Sequence, residues 1–194
     1  MAQANIPKVG SEPVVNEQGI FKSSWARYMH ELFLRVGGGD LYNLGGRLTT
    51  DNTAIGNTLG GEDNLITYSL PKNALHNDGD TLEIIAYGIT AANGNNKTIK
   101  LVLGSTTLFS TGAVAFNNKS WCIRAEITRI GAATQQIIST FHGDFGLLTN
   151  TATFVAGTED LTTVLAIKCT GTSGSSTTDD IIQKGLTIKM FPAG

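Results

Sequence analysis

The chain has 194 residues, 41% apolar and 15% charged, with a formal net charge of −2. That length suits one substantial core plus an appendage and excludes several full domains. Lys and Arg stand singly rather than in a stripe, so no nucleic-acid partner is expected; no apolar run approaches the ~18 residues of a spanning helix, so no membrane insertion is expected either.

Residues 1–22, with Pro7 and Pro13 and no sustained periodicity, read as an extended arm without the apolar stretch of a secretory leader. "SSWARYMHELFLRVGGGD", Ser23 to Asp40, follows and reads as one short amphipathic helix. Ser23 or Ser24 is the N-cap, Arg35 complements the last turn and Gly37 is the stop. At ~100° per residue Trp25, Tyr28, Leu32 and Val36 share a face that Met29 and Phe33 widen, while Arg27, His30 and Glu31 fall opposite. A helix this short is marginal alone and needs packing. Its shelter is either its own domain's core or the surface of a symmetry mate or neighbouring protein. Trp25, Tyr28, Met29, Leu32, Phe33 and Val36 are therefore the candidate docking or oligomer-interface residues. Residues 1–37 form the arm and docking helix, and the Gly-rich stretch 38–63 reads as an irregular linker.

From residue 64 to 194 the period changes to two. "DTLEIIAYGIT" puts Leu82, Ile84 and Ala86 on one face, and "KTIKLVLGS" groups Ile99, Leu101 and Leu103. "SWCIRAEITRI" sets Trp121, Ile123, Ala125 and Ile127 against Cys122, Arg124, Glu126 and Thr128. "LTTVLAIKCTG" alternates through Leu161, Thr163, Leu165, Ile167 and Cys169, and "KGLTIKMFP" through Leu186, Ile188 and Met190. With "LITYSLP", "TTLFSTG", "ATQQIISTF" and "TATFVAG" this gives about eight or nine short strands, separated by turn-rich pieces such as "HNDGD", "ANGNNK" and "TGTSGSSTTDD". The pattern predicts an all-β fold, an antiparallel β-sandwich of jelly-roll type, preceded by the arm and helix.

Catalytic equipment is sparse. The histidines are His30, His76 and His142, and no nucleophile elbow, Walker loop or zinc spacing occurs. "TFHGDFG" places His142 and Asp144 two apart, as a metal or sugar site would, but a Gly/Asp turn has the same composition. "HNDGD", His76 to Asp80, lacks the twelfth-position Glu of a calcium loop and reads as an Asx-type turn. The neighbours Glu62 and Asp63, and Asp179 and Asp180, read as solvated turn charges rather than a glycosidase couple. Trp121 is assigned to the core, Tyr87 is the remaining aromatic for sugar stacking, and Cys122 and Cys169 read as buried reduced thiols. The sequons at Asn96 and Asn118 carry no weight without secretion. No enzyme, cofactor or metal is expected.

The leader "IPKVGSEPVVNEQGIFKSSWARYMHELFLRVGG" resembles the N-terminal segment of tailed-bacteriophage virion proteins: a proline-bearing arm, a Gly, a Ser-initiated helix with an early Trp, and a Gly stop. The strand segments "LITYSLPKNALHNDGDTLEIIAYGITAANGNNKTIKLVLGSTTL", "WCIRAEITRIGAATQQ" and "LAIKCTGTSGSSTTDDIIQKGLTIKMFP" resemble the small β-sandwich of phage structural proteins. The resemblance implies a virion component made in the host cytoplasm, a homotrimer with a jelly roll similar to tumour-necrosis-factor-like proteins. It implies a head spike, head fibre or decoration protein whose arm and helix grip a capsid or portal-proximal protein. The alternative is a tail-fibre or tail-adaptor protein whose loops "AANGNNK" and "TGTSGSSTTDD" bind a host-surface glycan.

Overall fold

The computed structural model describes residues 46–58, 61–143 and 151–193. Among them are twelve strands and no helix. In chain order these are β1 (Gly46–Asp51), β2 (Ile55–Gly56), β3 (Gly61–Leu70), β4 (Thr81–Thr90), β5 (Asn96–Leu103) and β6 (Thr106–Ser110). β7 (Val114–Ala115), β8 (Ser120–Gly131), β9 (Thr134–Gly143), β10 (Thr151–Gly157), β11 (Leu165–Ser173) and β12 (Ile181–Phe191) complete the set.

They form two antiparallel sheets. A seven-stranded sheet runs β1-β12-β4-β8-β9-β10, with β2 also on β12; a five-stranded sheet runs β3-β11-β5-β6, with β7 also on β5. The chain crosses repeatedly from one sheet to the other, so most ladder partners are distant in sequence. β4, for instance, pairs with β12 through Leu82↔Met190 and with β8 through Leu82↔Ile127.

Alternation decides which face of each strand goes inward. Leu82, Ile84 and Ala86, then Ile99, Leu101 and Leu103, then Trp121, Ile123, Ala125 and Ile127 are all buried, as are Ile167, Cys169, Leu186, Ile188 and Met190. Each large aliphatic side chain so enclosed contributes about 1.5–3 kcal/mol relative to exposure. The two layers meet in an aromatic stack: Phe109 of β6 lies 5.4 Å from Phe141 of β9, and Phe116 lies 6.4 Å from the same ring.

Three sequence expectations need correction or placement. The stretch 38–63, read as irregular linker, holds β1, β2 and the start of β3. In β1 and β2 its glycines and threonines hide strands that depend on backbone pairing with β12 rather than on an apolar face, and a bulge between Arg47 and Thr49 interrupts the β1 register. The alternation from Leu161 does not begin a strand: the Asp160 carboxylate accepts hydrogen bonds from Thr162 N–H (3.0 Å) and Thr162 Oγ1 (2.6 Å), closing a turn that delays β11 until Leu165. The arm and helix of residues 1–37, with the docking residues Trp25, Tyr28, Met29, Leu32, Phe33 and Val36, lie outside the described residues.

Candidate interaction surface

The outward face of the seven-stranded sheet divides into two zones. On β12, β4 and β8 it is charged: Glu83 is nearly enclosed and bridges Arg124 at 2.5 Å and Lys189 at 3.2 Å. Between these strands Tyr87 lies over Gly185, where any Cβ would run into its ring, and its hydroxyl donates to Asn52 at 3.2 Å. The tyrosine is thus committed to covering a bulge between Gln183 and Gly185.

On β9 and β10 the character changes. Neither strand contains Asp, Glu, Lys or Arg. Ile138 stands directly opposite Phe154, and the two are 43% and 65% exposed. β10 is also the last strand in the order of its sheet, so its outer edge carries no ladder partner among the described residues. An edge strand without charge or Pro lacks two of the usual protections against pairing or contact with another chain.

At the β8 end of this face, Asn118, Lys119, Ser120, Trp121, Cys122, His142 and Gly143 line a depression of about 450 Å³. Cys122 and His142 are register partners across β8 and β9. Burial pushes the Cys122 thiol up from its ordinary pKa, against the opposing pull of Arg124, so the thiolate a nucleophile or metal ligand needs is disfavoured. Cys122 is half-buried rather than buried; Cys169 is fully enclosed, and burial pushes its thiol far upward.

One end of the sandwich brings together residues 91–97, the turn before β5 and its first two residues, and residues 170–180, the end of β11 and the turn after it. The Gly174 N–H donates to the Asn96 carbonyl at 2.7 Å, and the Ala91 N–H to the Asp180 carbonyl at 2.9 Å. Asp180, expected as a solvated turn charge, is completely buried. Its carboxylate accepts from Ser173 Oγ at 2.6 Å, Asn93 Nδ2 at 2.5 Å and Asn95 Nδ2 at 2.9 Å. Burial alone raises its pKa, but those three donors and the nearby Lys97 more than offset it and hold the group below its ordinary value.

The other sequence candidates are structural. The Asp80 carboxylate, also buried, accepts the backbone N–H groups of His76, Asn77 and Ala193, each at 2.8 Å, so "HNDGD" is an anchored turn. Glu62 binds Lys100 at 2.7 Å and Thr170 at 2.6 Å, which lower its pKa, whereas Asp63 caps Thr58. Asp179 lies in the turn before β12 with φ +58°. Trp121 is buried and donates to the Ile89 carbonyl at 3.3 Å. His142 is the penultimate residue of β9, and Asp144 lies outside the described residues. No group of three or more His, Cys, Asp or Glu side chains suited to a metal occurs among the described residues, and they contain no helix long and apolar enough to cross a membrane.

Sequence reading missed the lip formed by Ile138 and Phe154 and the buried pair Lys97 and Asp180. The lip was signalled by an outward aromatic in a charge-free strand; the pair had no local signal, because its members are far apart in sequence.

No family model and no curated protein matches the chain. Three solved structures show a distant likeness. The CBM2 module of the evolved Dit of Lactobacillus casei BL23 phage J-1 has a TM-score of 0.35 at 9% identity, covering 66% of this chain and 69% of that one. Peanut lectin with a 9mer peptide has a TM-score of 0.35 at 11% identity, covering 77% and 87%. The T=1 particle derived from infectious bursal virus has a TM-score of 0.32 at 14% identity, covering 96% of this chain and 36% of that one. Scores of this size do not establish a shared fold; the architecture above stands on its own strand pairing.

Proposed function

We propose that the protein is a structural component of a bacteriophage particle, a homotrimeric head spike, fibre or decoration protein anchored to a capsid or portal-proximal protein by residues 1–37. The observation that carries this reading is the charge-free lip of β9 and β10, where Ile138 and Phe154 stand exposed beside an edge that has no ladder partner among the described residues. Such a surface suits protein contact. The strand order supports the jelly-roll expectation: β1-β12-β4-β8 facing β3-β11-β5-β6 is the arrangement of an eight-stranded double Greek key, with β9 and β10 added at one side. The leader's resemblance to phage virion proteins supplies the anchor. Light scattering on the purified full chain should give the mass of a trimer. The full chain carrying Trp25→Asp and Leu32→Asp should remain folded but fail to join particles during infection; normal incorporation would rule out the anchor.

One observation favours the alternative, a tail fibre or adaptor that binds a host-surface glycan. The segments 91–97 and 170–180, far apart in sequence, form one polar end. Binding of the full chain to host cells, abolished by Asn96→Ala with Thr178→Ala, is the outcome that selects this role over a purely architectural one.

A further inference from the structure

Phe154 and Val164 are the two large hydrophobic side chains more than half exposed among the described residues, at 65% and 63%. Near each stands an exposed charge, negative by Phe154 and positive by Val164.

On the lip, one row of register partners crosses the outer face of the seven-stranded sheet: Lys189, Glu83, Glu126, Ile138 and Phe154. Lys189 and Arg124 both bridge Glu83. Glu126 is exposed, and its side chain has no ion pair or hydrogen bond among the described residues. It faces the Glu83 carboxylate directly, and like charges so placed on neighbouring strands are destabilising. Two strands, about 10 Å, separate it from Phe154. A chain that covers Ile138 and Phe154 therefore reaches Glu126 and takes water from it, a cost offset only where that chain brings a cation.

Val164 precedes β11, whose pairs with β3 are Leu165↔Leu70 and Ala166↔Ser69. Beyond them the Asn73 N–H donates to the Leu161 carbonyl at 2.8 Å. The segments 71–73 and 161–164 thus run side by side, with Val164 beside Pro71 and Lys72. Lys72 is exposed, and its ammonium has no partner among the described residues; Asp160, in the adjoining turn, accepts from Thr162 instead.

We infer that the lip of one copy docks on the Val164–Lys72 patch of the next, with Phe154 against Val164 and Glu126 paired with Lys72. This rests on the reading of the lip as a protein contact and names the partner. β3 lies against β12 and β6 against β9, so the strand leading into Lys72 and the strands of the lip occupy opposite margins of the sandwich. A contact between two different patches of one chain is heterologous. It closes into a ring of three when each copy is rotated a third of a turn from the last.

Charge reversal on the full-length chain tests this, read by sedimentation equilibrium with urea unfolding as the control for folding. Glu126→Lys and Lys72→Glu should each raise the dissociation constant by about tenfold or more, and the variant carrying both should return close to wild type. Two surface charges that never meet give no such recovery. A double variant as weak as the single ones, or single variants that associate like wild type, overturns the proposal. Phe154→Lys then separates the two readings. Its dissociation means that the lip contacts a different surface, whereas unchanged association with normal particle incorporation removes the lip as a protein contact altogether. Where one charge variant does not fold, the other carries the test together with Val164→Asp, which should weaken association to a similar extent.

Discussion

Gln135 and Glu159 hold each other through a two-bond clasp. The Gln135 Nε2 donates to the Glu159 carbonyl at 2.8 Å, and its Oε1 accepts the Glu159 backbone N–H at 3.0 Å. Glu159 then reaches the β5–β6 turn, where its carboxylate accepts from Ser105 N–H at 2.9 Å and from the Ser105 and Thr106 hydroxyls, each at 2.7 Å. A strand of one sheet is thereby tied to a turn of the other. Gln135→Ala leaves a backbone donor and acceptor unsatisfied in a buried site, which costs about 1–3 kcal/mol for each such group. Urea unfolding should show a loss of about 2–4 kcal/mol. A loss under half a kilocalorie would mean that water replaces the clasp.

The same carboxylate makes a pH prediction. Burial raises the Glu159 pKa, yet the Thr106 and Ser105 hydrogen bonds outweigh it and leave the group below its ordinary value of 4.5. A depressed folded pKa means that the unfolded chain binds the proton more readily. The stabilisation is therefore fully present above the unfolded value and lost as pH falls through the folded one. Asp180, also held below its ordinary value, acts in the same direction. Comparing wild type with Glu159→Gln by denaturant titration should give a stability gap that is widest near neutral pH and narrows toward about pH 3. A gap that stays constant across that range refutes the assignment.

A glycine inside β4 is explained by what lies over it. A Cβ at Gly88 would strike the Ile182 carbonyl and the Trp121 indole, so the close approach of ring and neighbouring strand depends on the missing side chain. Gly88→Ala should destabilise the sandwich by about 1–3 kcal/mol, the usual cost of overpacking, whereas Gly94→Ala, with open space at its Cβ, should not clash. Thermal melts of the two variants side by side test the distinction.

The sandwich was legible wherever one side of a strand faces the core. On β8 the residues Trp121, Ile123, Ala125 and Ile127 are buried while Arg124 and Glu126 are exposed, as period two requires. β1 was not legible, because "GRLTTD" has no apolar face and owes its conformation to a ladder with β12, more than a hundred residues away in sequence. Asp180 was misread for a related reason. Its local context, "SSTTDD", is that of a solvated turn, and burial is made tolerable only by Ser173, Asn93 and Asn95 arriving from other strands and turns. Pairing across the fold supplied what local composition did not contain.

The exposed lip provides the test of assembly. Phe154 is 65% exposed in the protomer, so replacing it should alter protomer stability by no more than about 0.5 kcal/mol. Its neighbour across the ladder, Ile138, is also exposed, and neither strand carries a charge that would repel an approaching chain. Phe154→Lys introduces such a charge and removes aromatic contact area together. If the lip is a contact between subunits or with a particle protein, the variant should unfold at nearly the wild-type denaturant midpoint but dissociate at higher protein concentration in sedimentation equilibrium, or be lost from particles. Adding Ile138→Lys should deepen the defect, because the two side chains form one patch. Unchanged association and unchanged particle incorporation in the double variant would exclude this edge as an assembly surface and leave attachment to residues 1–37 alone.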